Sequence, residues 1–246
     1  MPLDPQDLLA RFRSAAARQD FEFEALLPDL PAFTRLAPGP VVHLSAGIHG
    51  DEPASPLAAL EFLENGPAAD LHWLLTPLMN PSGLARGSRE NRDGLDLNRD
   101  YLHGQSAEVA AQREWLSRQP VPDLFISLHE DYDATGFYFY EIQLAGNPSV
   151  RDAVFTEIKT LLPLEPGPII DERESSGPGW FFLEEMPDKE EFAREAGGFP
   201  EALHLGERGC PLSLTFETPT HAVTLETRIA AHLAAIAAAL AEFRKF

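Results

Sequence analysis

The chain has 246 residues, 44% hydrophobic and 24% charged, a globular composition that excludes disordered and fibrous classes and suffices for a sizeable core. Its 19 basic against 39 acidic side chains give a net charge of −20, a field that repels nucleic-acid backbones and anionic membranes, so neither is an expected partner. One cysteine excludes an internal disulfide, and with no leader-like N-terminus and no membrane-length apolar run the expectation is a cytoplasmic protein.

In chain order, helical spacing of apolar residues predicts a helix over Asp7–Gln19, and the Pro-rich stretch Pro28–Pro40 reads as a surface connection. VVHLSAG (Val41–Gly47) then reads as a strand, IHGDEP as a turn, and Ser55–Asn65 as a helix with Ser55 at its N-cap and Pro56 at its first position. Further strands are predicted at Leu71–Met79, Asp123–His129, Gly136–Leu144 and Pro211–Thr218, several apolar on both faces as buried sheet strands are. Helices fit Glu108–Arg118, Val150–Leu162 and the Ala-rich Thr224–Phe243. The acidic segment Asp171–Gly209 reads as irregular, a binding loop or lid. Without repeats or a linker, one domain over residues 1–246 is expected, an α/β sandwich with a largely parallel or mixed sheet.

Chemistry-bearing residues cluster where predicted strands end. His49-Gly50-Asp51-Glu52 offers an imidazole and a carboxylate directly after the first strand, and His129 ends another. Two histidines and a carboxylate leave a fourth position open on zinc, which is the pattern of hydrolytic rather than structural zinc sites. Between them lies NPSGLARGSRENRDGLDLNRDY (Asn80–Tyr101), rich in arginine, whose planar charged fork suits bidentate capture of a carboxylate or an oxyanion. Glu217 sits in an otherwise apolar strand, where an unpaired carboxylate is costly unless a reaction centre uses it.

The blocks AGIHGDEP, NPSG, RENRDGLDLNRD, SLH and LTFETP stand in an order that resembles the zinc carboxypeptidases, including their small bacterial members, and more distantly the aspartoacylase and succinylglutamate desuccinylase branch. The resemblance spans Ala46 to Pro219. It implies an α/β sandwich around a mixed, twisted central sheet flanked by helices, with one zinc ion per chain held by His49, Glu52 and His129. It also implies Arg89 as the group that polarises the scissile carbonyl, Asn98 and Arg99 as the clamp on a terminal carboxylate, Glu217 as general base, and Asp96 as the carboxylate that orients a zinc-bound histidine. The implied activity is hydrolysis of the C-terminal peptide bond, on a small peptide or acylated amino acid with a free carboxylate. A zinc-dependent N-acyl amino acid deacylase, or a silent peptide- or metal-binding member, is the alternative.

The chain departs from the larger digestive members in having no tyrosine between Glu141 and Glu217. Tyr132, Tyr138 and Tyr140 are candidates by position, although Tyr138 and Tyr140 are expected on a sheet surface or in the core. Glu130 and Asp131 beside His129 are expected to be solvated rather than to hold a second metal. His43 is expected to face the core, His72, His103, His204, His221 and His232 the surface or loops, and Cys210 to be a packing residue. The acidic run from Glu172 to Glu195 suggests a lid favouring a basic terminal residue.

Overall fold

The strand-forming segments join into one eight-stranded sheet in a computed structural model that describes residues 3–246. In chain order the elements are α1 (Pro5–Arg18), β1 (Glu22–Leu27), β2 (Leu30–Arg35), β3 (Val41–Ala46), α2 (Ala54–Asn65), β4 (His72–Thr76), α3 (Pro81–Leu84), a 3-10 turn at Leu97–Arg99 and α4 (Ala107–Ser117). They continue with β5 (Leu124–Asp131), β6 (Tyr138–Gln143), α5 (Arg151–Ile158), β7 (Ile169–Ile170), β8 (Arg173–Glu174), β9 (Trp180–Leu183), α6 (Lys189–Ala196), α7 (Glu201–Glu207), β10 (Leu212–Pro219) and α8 (Leu225–Phe243). The sheet order is β1-β2-β4-β3-β5-β10-β6-β9. Its centre, β4-β3-β5-β10, is parallel; β1–β2, β2–β4 and β10–β6 are antiparallel, and the edge strand β9 runs parallel to β6. The expected mixed sheet flanked by helices is therefore present.

Side-chain alternation sorts each central strand between two layers. Leu124, Ile126 and Leu128 of β5 and Leu212, Leu214 and Phe216 of β10 join the large apolar cluster that also holds Phe12, Leu60 and Ile236 from α1, α2 and α8. Phe125 of β5 faces the other layer, where Trp115 of α4 and Leu205 of α7 cover it with Cys210. His129 and Glu217 share the parity of Phe125, and the parallel register sets them side by side. Because β4 lies on one side of β3 and β5 on the other, the C-terminal ends of β3 and β5 open a crevice of the kind in which open α/β sheets bind ligands.

Four local expectations are corrected. Pro28–Pro40 holds β2, since Pro31 is accommodated in a strand of a β1–β2 hairpin at the sheet edge. Helix α2 begins at Ala54, whose N–H is capped by the Glu130 carboxylate; the Ser55 hydroxyl instead accepts from Gly47 N–H at 3.0 Å and donates to the Glu52 carbonyl at 3.1 Å. The segment Asp171–Gly209 carries β8, β9, α6 and α7, because its acidic residues sit on the outer faces of elements whose apolar residues pack inward. His232 is fully buried on α8, with Nε2 3.2 Å from the Thr218 hydroxyl, and burial drives its pKa down to about 3. His43 faces the core as expected, and Cys210 is a buried packing residue.

Glu130 and Asp131 are also not solvated in the expected sense. Glu130 joins β5 to Ala54 of α2 and Arg228 of α8 in a buried ion pair. Asp131 accepts from Asp133 N–H and from the Tyr138 hydroxyl, both at 2.8 Å. Both carboxylates are committed to holding the cleft wall.

A second buried carboxylate organises the opposite layer. Glu201, at the start of α7, accepts from Ser45 Oγ at 2.8 Å and Gln112 Nε2 at 2.6 Å, and its backbone N–H donates to Asn98 Oδ1 at 3.0 Å. Burial raises its pKa from 4.5 to about 7, against the hydrogen bonds that favour the charged form. A carboxyl whose folded pKa lies above its unfolded value loses stabilising effect as pH rises through the window between them. The Glu201→Gln variant should therefore gain stability relative to wild type as pH rises from 4.5 to about 7, by up to roughly 3 kcal/mol, in urea unfolding at several pH values. A pH-independent difference would contradict this. Gly50 supplies a second test, since a methyl group there would collide with the backbone of Gly83 and Leu84. Gly50→Ala should lower unfolding free energy by about 1–3 kcal/mol.

Candidate metal centre and cleft

The turn after β3 delivers two side chains to the crevice. Both His49 and Glu52 are buried, and His49 Nδ1 lies 2.5 Å from Glu52 Oε1. His129, also buried, enters from β5 with Nδ1 3.1 Å from Glu52 Oε2. One donor atom from each residue lies within 4.8 Å of the others, and this is the one metal-capable cluster of its kind among the described residues. Glu52 Oε2 is buried yet makes no hydrogen bond, because its approach to His129 lacks hydrogen-bond geometry. A buried carboxylate oxygen without a hydrogen bond, beside the His129 imidazole, is costly by itself and is satisfied by a cation, so the residues present fit a divalent metal with mixed nitrogen and oxygen preference.

Asp96 stabilises this corner through both its oxygens. Oδ1 lies 3.1 Å from His49 Nε2, and Oδ2 accepts from Arg89 Nε at 2.9 Å. Burial opposes ionisation, but the His49 bond and the charges of His49, Arg89 and Arg99 hold Asp96 below the usual carboxylate range. Glu52 is likewise held low, against burial, by His49 and His129. Arg89 Nη1 stands 3.2 Å from His49 Nδ1 and 3.6 Å from Glu52 Oε1, so its fork overlooks the ligand set. Its backbone carbonyl accepts from Asn80 Nδ2 at 3.1 Å, while Asn80 Oδ1 caps α3 at Gly83 N–H. Asn91 builds the turn below, accepting from Asp93 and Leu95 N–H groups and donating to Glu108. Sequence reasoning left both asparagines unassigned; an asparagine at each end of the NPSG and RENR blocks was the available signal. Arg92 is exposed.

Six of the residues singled out in the sequence border one cavity. A cavity of about 530 Å³ is bordered by His49, Glu52, His129, Arg89, Arg99 and Glu217. Asn98 lies beside Arg99 on the 3-10 turn, its Oδ1 occupied by Glu201 N–H, which turns its amide NH2 away from α7. Arg99 donates to the Asn98 carbonyl at 3.2 Å. Burial, reinforced by Glu52, Asp131 and Asp171 and opposed by Arg89, raises the pKa of Glu217 well above an ordinary glutamate.

Next to this cleft lies a narrower cavity of about 220 Å³ with an apolar wall that includes Ile142, Phe181, Leu183, Phe192 and Leu203. Arg99, Asp171 and Glu217 border both cavities and mark their junction. Two tyrosines expected away from the site border it: Tyr138 lines the cleft, and Tyr140 lines the apolar cavity, its hydroxyl donating to Asp171 at 2.6 Å. Tyr132 is exposed at the cleft rim, edge-on to His221 at 4.3 Å. Of the acidic lid residues from Glu172 to Glu195, Glu174 lines the apolar cavity, together with the cationic Arg173.

The family model of the succinylglutamate desuccinylase/aspartoacylase catalytic domain matches residues 38–130. Among curated proteins, none is similar in sequence to this chain. Solved structures are similar over nearly its whole length. A candidate metallopeptidase from Shewanella denitrificans is 24% identical with a TM-score of 0.79, the match covering 97% of this chain and 90% of that one. A second, from Shewanella amazonensis, is 22% identical with a TM-score of 0.79, covering 96% and 92%. A metallo-carboxypeptidase from Burkholderia cenocepacia is 18% identical with a TM-score of 0.70, covering 100% of this chain and 70% of that one. The chain thus has the metallo-carboxypeptidase fold and carries the desuccinylase/aspartoacylase catalytic-domain signature in residues 38–130, in agreement with the resemblance drawn from its motifs.

Proposed function

We propose that the chain is a zinc-dependent hydrolase that removes the C-terminal residue of a peptide. The observation that carries this reading is the opening of the His49, Glu52 and His129 set into a cleft shared with Arg89, Arg99 and Glu217. Zinc held by those three side chains would polarise a carbonyl and lower the pKa of water to about 7. Arg99 and the Asn98 amide bind the terminal carboxylate, and the planar guanidinium fixes its orientation. Arg89, immobilised through Asp96, donates to the carbonyl oxygen as that oxygen gains charge. Glu217, with its raised proton affinity, takes a proton from the attacking water and returns it to the leaving nitrogen. The apolar cavity beyond Arg99 takes the terminal side chain, which favours an apolar residue over the basic one suggested by the acidic run.

A second reading is favoured by the family match over residues 38–130, namely release of an acyl group from an N-acyl amino acid. The same clamp and base serve it, because both reactions expel an amino acid from a carbonyl.

Glu217→Gln should retain zinc by elemental analysis while turnover falls at least about a hundredfold. Near-normal turnover would remove Glu217 from the base role. With a mixed pool of short peptides and N-acyl amino acids followed by mass spectrometry, peptides ending in Leu should lose that residue faster than those ending in Lys or Glu, and a chelator should stop the reaction. Release of acyl acids alone would move the activity to the deacylase reading.

A further inference from the structure

The junction of the two cavities carries opposite charges that do not neutralise each other. Arg99 stands on the 3-10 turn and donates to Asn98, whereas Asp171 stands at the tip of the β7–β8 hairpin and accepts from Tyr140; no ion pair joins them. The hairpin tip is built at a conformational cost. Asp171 and Glu172 both adopt the left-handed region, with φ of 47° and 58°, where the turn ordinarily takes Asn-Gly. The hairpin is nevertheless anchored, since Ile170 is buried against Tyr138 and Phe181 and Ser175 N–H donates to the Pro168 carbonyl at 2.8 Å. A carboxylate is thereby held at the junction of the two cavities, which Arg99 also lines.

We propose that Arg99 and Asp171 form a seat for a zwitterionic α-amino acid, its carboxylate on Arg99, its ammonium on Asp171 and its side chain in the apolar cavity. This rests on the reading of Arg99 as the carboxylate clamp. In hydrolysis the water oxygen joins the carbonyl carbon, the C–N bond breaks and both water protons end on the nitrogen, leaving an acyl carboxylate and a free amino acid. The nitrogen, uncharged as an amide, becomes an ammonium, so a carboxylate placed beside it interacts more strongly with the leaving group than with the substrate. Peptide and N-acyl amino acid substrates release the same kind of zwitterion, so the seat serves either activity. Its consequence is inhibition by free apolar amino acids that outlasts removal of the acyl fragment.

Binding alone tests this, by calorimetry on the zinc-loaded protein with L-leucine and with 4-methylpentanoate, which has the same carbon skeleton and carboxylate but no amine. Wild type should bind L-leucine about five- to tenfold more tightly. Asp171→Asn should cut that preference at least about threefold, Glu217 remaining beside the nitrogen, while leaving 4-methylpentanoate binding within about twofold; asparagine is favoured at positive φ and keeps an acceptor for Tyr140, so the hairpin is preserved. Equal binding of the two ligands to wild type, or an undiminished preference in Asp171→Asn, would overturn the seat and leave the carboxylate clamp standing. Unchanged 4-methylpentanoate binding in Arg99→Gln would overturn the clamp and the seat together.

Discussion

The candidate site rests first on the parallel register between β5 and β10. His129 and Glu217 are register partners, so two side chains of the same parity project from adjacent strands onto one face. Sliding β10 by one residue against β5 would turn Glu217 away from the cleft and set Phe216 or Thr218 beside His129. The apolar residues that alternate with them, Leu128 and Phe216, are committed to the opposite core. The same hydrophobic pattern that makes the sheet therefore fixes the distance between a metal ligand and a carboxylate, and neither needs a local device to hold it.

The groups that come from loops do need such devices, and Asp96 is the principal one. Its two oxygens hold the ring of His49 and the fork of Arg89, which ties the metal-capable corner to Arg89. Beneath it, Asn80 and Asn91 convert a Gly-rich segment without regular structure into a fixed scaffold. Buried polar groups in such a network are costly unless every partner is present. Glu130 and Glu201 follow the same rule on either side of the sheet, each joining a helix start to the strands that bear the site.

How much of this was legible in the sequence depended on whether the information was local. The motif blocks named the convergent residues, because chemistry constrains residue type at fixed spacing, and the continuous apolar runs exposed β3, β5 and β10. Pro28–Pro40 misled because proline argues against a strand only where an N–H is needed, and Pro31 lies in the edge hairpin. Glu130 read as a solvated charge because its partners, Ala54 and Arg228, are remote in sequence and met only through folding. His232 was hidden by an Ala-rich helix whose buried face cannot be told from its outer one by composition. Asp171 was invisible for a related reason: its role depends on a two-strand ribbon too short to leave a periodic signal.

The apolar wall of the second cavity comes from residues between Tyr140 and Leu203, whereas His49, Glu52, Arg89, Arg99 and His129 all precede residue 130 and Glu217 follows the wall. Backbone bonds from Phe199 N–H to the Arg99 carbonyl and from Tyr101 N–H to the Phe199 carbonyl rivet the later stretch to the earlier one. The stretch that walls the apolar cavity is thus encoded as one insert between the His49, Glu52 and His129 set and Glu217, joined to the earlier residues by a few main-chain bonds. Divergence could rewrite that insert, reshaping the cavity it walls, without disturbing the cleft residues on either side of it in the sequence.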